Sequence, residues 1–385
     1  MISEIVNPWS ESRVMKTVAI IGTRGYPSHY GGFETAVRKL VPYLTQRDFN
    51  VRVYCRDGET TEDAYSPHLF VERVFTRGLK NTSLNTLSHG LYACVHAVLR
   101  KPDVALVMNV ANGFWIPLLR LRGIPVVVNV DGMEWRRDKW NKIGKFIFYL
   151  GALTTSRISD ILISDSICIQ KKWSELFGVE SRFIPYGGVS SDSKFNERED
   201  FLLYVARLVP ENSVVNFLQS ISMLNAKTKV IIVGSKSTFP EIQSKLEEVL
   251  SENIDVSWLG RISDEQQLNN LWSKCAVYFH GHTVGGTNPA LVQAMSSGAP
   301  TVAVDTVFNR EVLGDSGLFT SNDPSSIASS LNSFMKDRNS RENYSTMARS
   351  RALTHYSWDF VNECYVEVLN EAIKDYPKRI FSRKV

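Results

Sequence analysis

The chain has 385 residues, of which 43% are hydrophobic and 11% aromatic, with a formal net charge of +4. That length exceeds one ordinary core and implies two domains, while so mild a charge excludes general nucleic-acid binding. The longest apolar runs, VVVNV (126–130) and FLLYVA (201–206), are strand-sized and far short of a membrane span.

From the N-terminus, MISEIVNPWSESR has neither the basic start nor the apolar core of a secretory signal. The five cysteines (Cys55, Cys94, Cys168, Cys275, Cys364) lie far apart and cannot all pair, so reduced cytosol is the expected compartment. Strand-like and helix-like segments then alternate almost throughout, the pattern of parallel sheets covered by helices. TVAIIG (17–22) is the first strand, followed by the loop Gly22-Thr23-Arg24-Gly25-Tyr26-Pro27. Gly31-Gly32 opens a helix with Phe33, Ala36, Val37, Leu40, Val41 and Leu44 on one face. The spacing is not that of a dinucleotide fingerprint. Paired glycines at a helix start favour a backbone that approaches a phosphate or sugar, against the plainer reading of a tight connection.

VRVYC (51–55), ALVMN (105–109), PVVVNV (125–130) and DILIS (160–164) continue the first set of strands. Asp131 stands directly after PVVVNV, at a strand's carboxyl end, where ligands of α/β sheets sit. Beyond it Arg136, Arg137, Lys139, Lys142 and Lys145 mix with Trp135, Trp140, Phe146 and Phe148. Basic and aromatic residues together suit an anionic membrane surface, and the ending KDYPKRIFSRKV repeats the mixture, against a solvated helix face and a frayed tail.

SSDSKFNERED (190–200) is polar and unpatterned and reads as a linker. A second alternation follows: FLLYVA, VIIVG (230–234), VSWLG (256–260), AVYFH (276–280) and PTVAV (300–304), with a capping box expected at Ser263 and Gln266. Arg207 ends the first of these strands, where a fixed cation can neutralise a diphosphate leaving group; the alternative is a surface arginine. HGHTVGGTNPALVQAMSSG (280–298) is the densest signal. A glycine turn at 284–286 leads to Asn288 as N-cap, Pro289 at the first helical position and Gly298 as terminator, and such a helix start suits a phosphate. His280 and His282 flank Gly281, but no further ligands stand nearby and no D-x-D pair occurs, so no metal is expected. The histidines read as polar contacts or as structural.

Six stretches in order, GTRGYPSHYGGFET (22–35), VNVDGMEWRRDKW (128–140), RFIPYGG (182–188), ARLVPEN (206–212), HGHTVGGTNPALVQAM (280–295) and FNREVLGDSG (308–317), resemble the GT-B glycosyltransferases of family 4. The nearest likeness is to bacterial rhamnosyltransferases of surface-polysaccharide assembly. The resemblance implies an α/β protein of two Rossmann-like, doubly wound domains facing across a cleft. Residues 1–188 would form the acceptor-side domain, residues 189–356 the nucleotide-sugar domain, and 357–385 would pack back on the first. It also implies a nucleoside-diphosphate sugar donor, net retention at the anomeric carbon and no metal or other cofactor. The transferred hexose would be L-rhamnose or another 6-deoxyhexose, the acceptor a lipid-linked oligosaccharide, and the place the cytoplasmic face of the cell membrane.

Position by position, Gly31, Gly32, His282, Gly285, Gly286, Thr287, Asn288 and Gln293 would bind the donor. Asp131 and Arg207 would be catalytic, Asp131 standing where many relatives carry a histidine. Glu134, Trp135 and Arg136 would lie on the acceptor side. The broader family carries two glutamates that here fall on Gly285 and Gln293, and the second normally binds the ribose hydroxyls. Glutamine keeps an acceptor oxygen and loses the charge, so weaker nucleotide binding is expected. The lysine usual after Arg207 is also missing, with Asn212 nearby. Two other readings stay open: a degenerate GT-B protein that binds a sugar nucleotide or a partner without turnover, and a sugar-nucleotide epimerase that needs no acceptor.

Overall fold

A computed structural model describes residues 15–28, 31–60, 71–76, 78, 82–130, 132–136, 141–189, 198–225, 228–252 and 255–382. The first sheet contains β1 (Lys16–Ile21), β2 (Phe49–Arg56), β3 (Val71–Thr76), β4 (Val104–Met108), β5 (Val126–Asn129), β6 (Ile161–Ser164) and β7 (Arg182–Phe183), in the order β3-β2-β1-β4-β5-β6-β7. The second contains β8 (Phe201–Val205), β9 (Lys229–Val233), β10 (Val256–Trp258), β11 (Val277–His280), β12 (Thr301–Val304) and β13 (Leu318–Thr320), in the order β10-β9-β8-β11-β12-β13. β1 pairs in parallel with β2 and β4, and β8 in parallel with β9 and β11, so each sheet reverses its strand order once. The protein is therefore α/β, with two Rossmann-like parallel sheets.

Apolar continuity of the strands is what makes this arrangement. β4 and β12 are buried at every residue, as strands covered on both faces must be. On β8 the period of two divides the core: Leu202 and Tyr204 join Phe217, Phe279 and Leu331 on one face, while Phe201 and Leu203 join Tyr278, Leu291 and Met295 on the other. Tyr204, Phe217 and Phe279 stack with centroids 4.5 and 5.1 Å apart in successive pairs.

By its contacts the chain divides into two compact units, one from 1–129, 138–162 and Tyr365 onward, the other from 130–137 and 163–364. The final helix, Trp358–Ser382, enters the first unit from Tyr365. There Asn129 Nδ2 donates to the Tyr365 hydroxyl at 2.7 Å, Lys16 Nζ donates to Asn370 Oδ1 at 2.6 Å, and the Arg120 guanidinium lies 4.8 Å from the Tyr376 ring centroid.

All ten strands expected from the sequence are present, and β3, β7 and β13 are additional. Two local expectations need correction. The helix Glu265–Lys274 is capped by Asp264, whose Oδ1 accepts the Gln266 N–H at 2.8 Å, and not by Ser263. A carboxylate there also meets the positive end of the helix. The polar stretch also does not run as linker to 200. Arg198 is anchored to the Gly298 and Cys275 carbonyls and to Ser345 Oγ, at 2.6, 3.1 and 2.7 Å.

Candidate functional site

In the second unit, the loops after β8 and β11 flank the point where strand order reverses, the place where doubly wound sheets hold ligands. Their own bonds tie them together. Thr283 donates its N–H and its hydroxyl to the Glu211 carbonyl, both at 2.9 Å. Ser213 Oγ donates to the Gly281 carbonyl at 2.7 Å, and His282 Nδ1 lies 2.6 Å from Asn212 Oδ1. A Cβ on Gly281 would come within 2.3 Å of the Asn212 carbonyl, so only glycine allows this approach. Arg207, at the end of β8, is exposed and makes no ion pair among the described residues.

The glycine turn follows. Gly285 has φ +106°, a conformation that glycine alone adopts cheaply. Asn288 caps the helix Pro289–Ser296, its Oδ1 accepting the Ala290 N–H at 2.9 Å. Pro289 has no N–H and Leu291 N–H goes to the Asn288 carbonyl at 3.1 Å, so the first helical turn is already satisfied. The free donors lie just before it. The N–H groups of Gly285, Gly286, Thr287 and Asn288 bond to nothing among the described residues. The turn thus presents four backbone donors in a row ahead of a helix whose positive dipole end points the same way, an arrangement suited to an anion.

Other residues of this stretch have fixed partners. The Thr287 hydroxyl donates to the Asp165 carbonyl and is buried. Gly286 packs against the Asp165 side chain, and Gln293 bonds to the backbone of Val189. His280 is buried with its Nδ1 3.0 Å from the Tyr278 hydroxyl. Burial, and then neighbouring His282, hold its imidazole well below the usual histidine range, so it is a neutral core residue.

In the first unit the loop after β1 meets the turn after β4, again at a reversal of strand order. A Cβ on Gly22 would lie 2.1 Å from the Met108 carbonyl oxygen. Glu34, buried in the first turn of the helix Gly32–Thr45, accepts the Arg24 N–H at 3.1 Å and fixes the glycine loop. Gly31 is the N-cap of that helix and supplies no side-chain cap, and Gly32 is its first residue.

Asp131 lies outside the described residues, as do Arg137, Lys139 and Trp140. Glu134 is buried and begins a short turn, Glu134–Arg136. Trp135 meets Trp173 and Phe177 edge to face at 5.8 and 5.9 Å, so part of its ring is committed to packing, while Arg136 is exposed. Two residues here escaped the sequence reading. Asp165 follows β6 as Asp131 follows β5, so its place at a strand's carboxyl end was a usable signal. Glu311 accepts the Ile167 and Cys168 N–H groups at 2.8 and 3.0 Å and closes the start of the helix Ile167–Phe177, which no local pattern announces.

Residues 189–351 match the family glycosyl transferases group 1. Residues 15–189 match a domain of unknown function, DUF1972. The O-antigen chain mannosyltransferase B of Escherichia coli is 24% identical over 180 residues, which span 45% of each protein. Sucrose-phosphate synthase from Thermosynechococcus elongatus has the same fold, with a TM-score of 0.76 at 15% identity over 92% of this chain and 98% of that one. HepE of Anabaena, solved in complex with UDP-glucose, gives 0.71 at 15% identity over 93% and 100%. The trehalose-phosphate synthase of Burkholderia vietnamiensis gives 0.71 at 12% identity over 92% and 100%. The residues that match glycosyl transferases group 1 include both Arg207 and the Gly285–Asn288 turn. Among the described residues no helix is long and apolar enough to cross a membrane.

Proposed function

We propose that the protein is a retaining hexosyltransferase that takes a hexose from a nucleoside-diphosphate sugar and passes it to a lipid-linked oligosaccharide in surface-polysaccharide synthesis. The observation that carries this reading is the row of four N–H groups, Gly285 to Asn288, unpaired among the described residues and at the same sheet crevice as the exposed Arg207. As the bond to the anomeric carbon breaks, negative charge grows on the leaving diphosphate, and fixed N–H dipoles and a guanidinium stabilise it. The departing oxygen takes the acceptor proton on the same face, which retains configuration without a protein nucleophile. Positive charge comes from Arg207 and the turn, so the mechanism calls for no metal. Asp131 orients the acceptor or the donor sugar, and Gly31 and Gly32 form a second anion seat on the first unit.

The relative from Escherichia coli, by its name, acts on O-antigen, which supports a surface polysaccharide. L-Rhamnose or another 6-deoxyhexose is the sugar proposed, with mannose, the sugar in the name of the Escherichia coli relative, as its competitor. A membrane-borne acceptor suits the helix Lys142–Ile158, which has Lys142, Lys145 and Arg157 but no acid and leaves Ile143 71% and Phe146 61% exposed. Purified protein incubated with dTDP-L-rhamnose, GDP-mannose or UDP-glucose and a bacterial lipid extract should glycosylate one lipid, with retained anomeric configuration by NMR. Donor isomerised without any acceptor would indicate an epimerase. Donor bound but never consumed would indicate a degenerate binder.

A further inference from the structure

Gln293 sits in the middle of the helix whose preceding turn forms the anion seat. Its Oε1 accepts the Val189 N–H at 3.0 Å, and its Nε2 donates to the Val189 carbonyl at 3.1 Å. Both polar ends of one side chain are thus spent on the two backbone groups of one residue. The residues before Val189 are held as closely. A Cβ on Gly188 would stand 2.1 Å from Ser296 Oγ, one helical turn beyond Gln293. The Gly188 N–H donates to the Tyr356 carbonyl at 2.7 Å, and a Cβ on Gly187 would come within 2.6 Å of the Trp358 indole. The segment Gly187–Val189 is therefore clamped between this helix and the start of the final helix.

A carboxamide fits the clamp because one side chain supplies both the donor and the acceptor it needs. A glutamate would keep the acceptor for the Val189 N–H but set an anionic oxygen against the Val189 carbonyl, two acceptors face to face. We infer that Gln293 is a positioning residue that fastens Gly187–Val189 to the donor helix, and that the site in consequence does not read the ribose hydroxyls through this position and accepts ribo- and 2′-deoxyribonucleoside diphosphates alike. A group that hydrogen-bonds a substrate hydroxyl rejects the analogue lacking it, and here that group is already occupied. The second half of this inference rests on the nucleotide-sugar reading above, whereas the fastening does not.

The test uses full-length wild type, Gln293→Glu and Gln293→Leu. Amide hydrogen exchange over residues 186–189 should lose about tenfold or more of its protection in both variants, because each breaks the paired bonds. Calorimetric titration should give the wild type UDP and 2′-deoxy-UDP affinities, and GDP and 2′-deoxy-GDP affinities, within about threefold of each other. That ratio should be the same in Gln293→Leu, even if both affinities drop. The inference is overturned by a wild type that prefers the ribonucleotide by about tenfold, or by a Gln293→Glu variant that keeps its protection and binds nucleotide more tightly. A wild type that binds none of the four nucleotides would refute the proposed function, and the exchange data would still decide the fastening.

Discussion

Replacing Gly286 by alanine adds one methyl group to the turn proposed to seat the diphosphate. The new Cβ would stand 2.1 Å from Asp165 Oδ1 and 2.4 Å from Cγ and Oδ2, well inside contact distance. Asp165 is 3% exposed, so its carboxylate has no solvent to swing into and the turn has to move. Overpacking of a closed site costs about 1–3 kcal/mol, and moving the turn also spoils the alignment of its N–H groups. Urea unfolding of wild type, Gly286→Ala, Asp165→Ala and the double variant gives the coupling between the two positions. The double variant should be more stable than the sum of the single losses implies, by about 1 kcal/mol or more, because removing the carboxylate makes room for the methyl. Additive losses within about 0.5 kcal/mol, or a Gly286→Ala protein as stable as wild type, would refute the contact on which this rests.

Arg207→Ala should leave stability within about 0.5 kcal/mol, since the side chain is exposed, yet weaken nucleoside-diphosphate binding by about ten- to a hundredfold; calorimetry on the variant decides. Asn288→Ala should cost about 1 kcal/mol in urea unfolding through loss of the cap on Ala290. Asn288→Asp should keep the cap and instead weaken nucleotide binding, because it sets a carboxylate beside the anion seat. Asp131→Asn should retain folding, by circular dichroism, and lose most of its turnover; full turnover would remove Asp131 from the mechanism. His89 is fully buried against Thr76, and burial together with the Arg56 charge pushes its imidazole down to about 4. Below pH ~6.5 the unfolded chain takes up a proton that the folded one refuses, so stability is full above 6.5 and falls by about 3 kcal/mol as pH drops to ~4. A His89→Gln variant should show a flatter decline over that window by urea titration.

Much of the fold is legible in the sequence because parallel strands buried on both faces are unbroken apolar runs, as in VALVM and TVAV. What the sequence hides is short or at a sheet edge. VERVFT of β3 interleaves Glu72 and Arg73 with its apolar residues, and β7 has only two residues. At the site, Asn288, Pro289 and the glycine turn announce themselves through cap and turn chemistry. The division of labour among them does not: that the cap consumes the first helical donors and leaves those of Gly285–Asn288 free depends on three-dimensional bonding. Gln293 is the sharpest case. Its residue type argues for a weakened ribose ligand, whereas its position against Val189 gives it a partner 104 residues away in sequence. Asp165 and Glu311 are likewise brought to the site by packing between distant segments.

The most direct test of the proposed chemistry is nucleoside-diphosphate release by purified wild type and Arg207→Ala, with a panel of dTDP-, UDP- and GDP-sugars and with or without a bacterial lipid extract. Expected is release from one donor, rising with the extract and reduced by about tenfold or more in the arginine variant. Release that ignores the lipid, or a variant as active as wild type, would contradict the role given to Arg207 and the lipid-borne acceptor; no release from any donor would contradict the transferase itself.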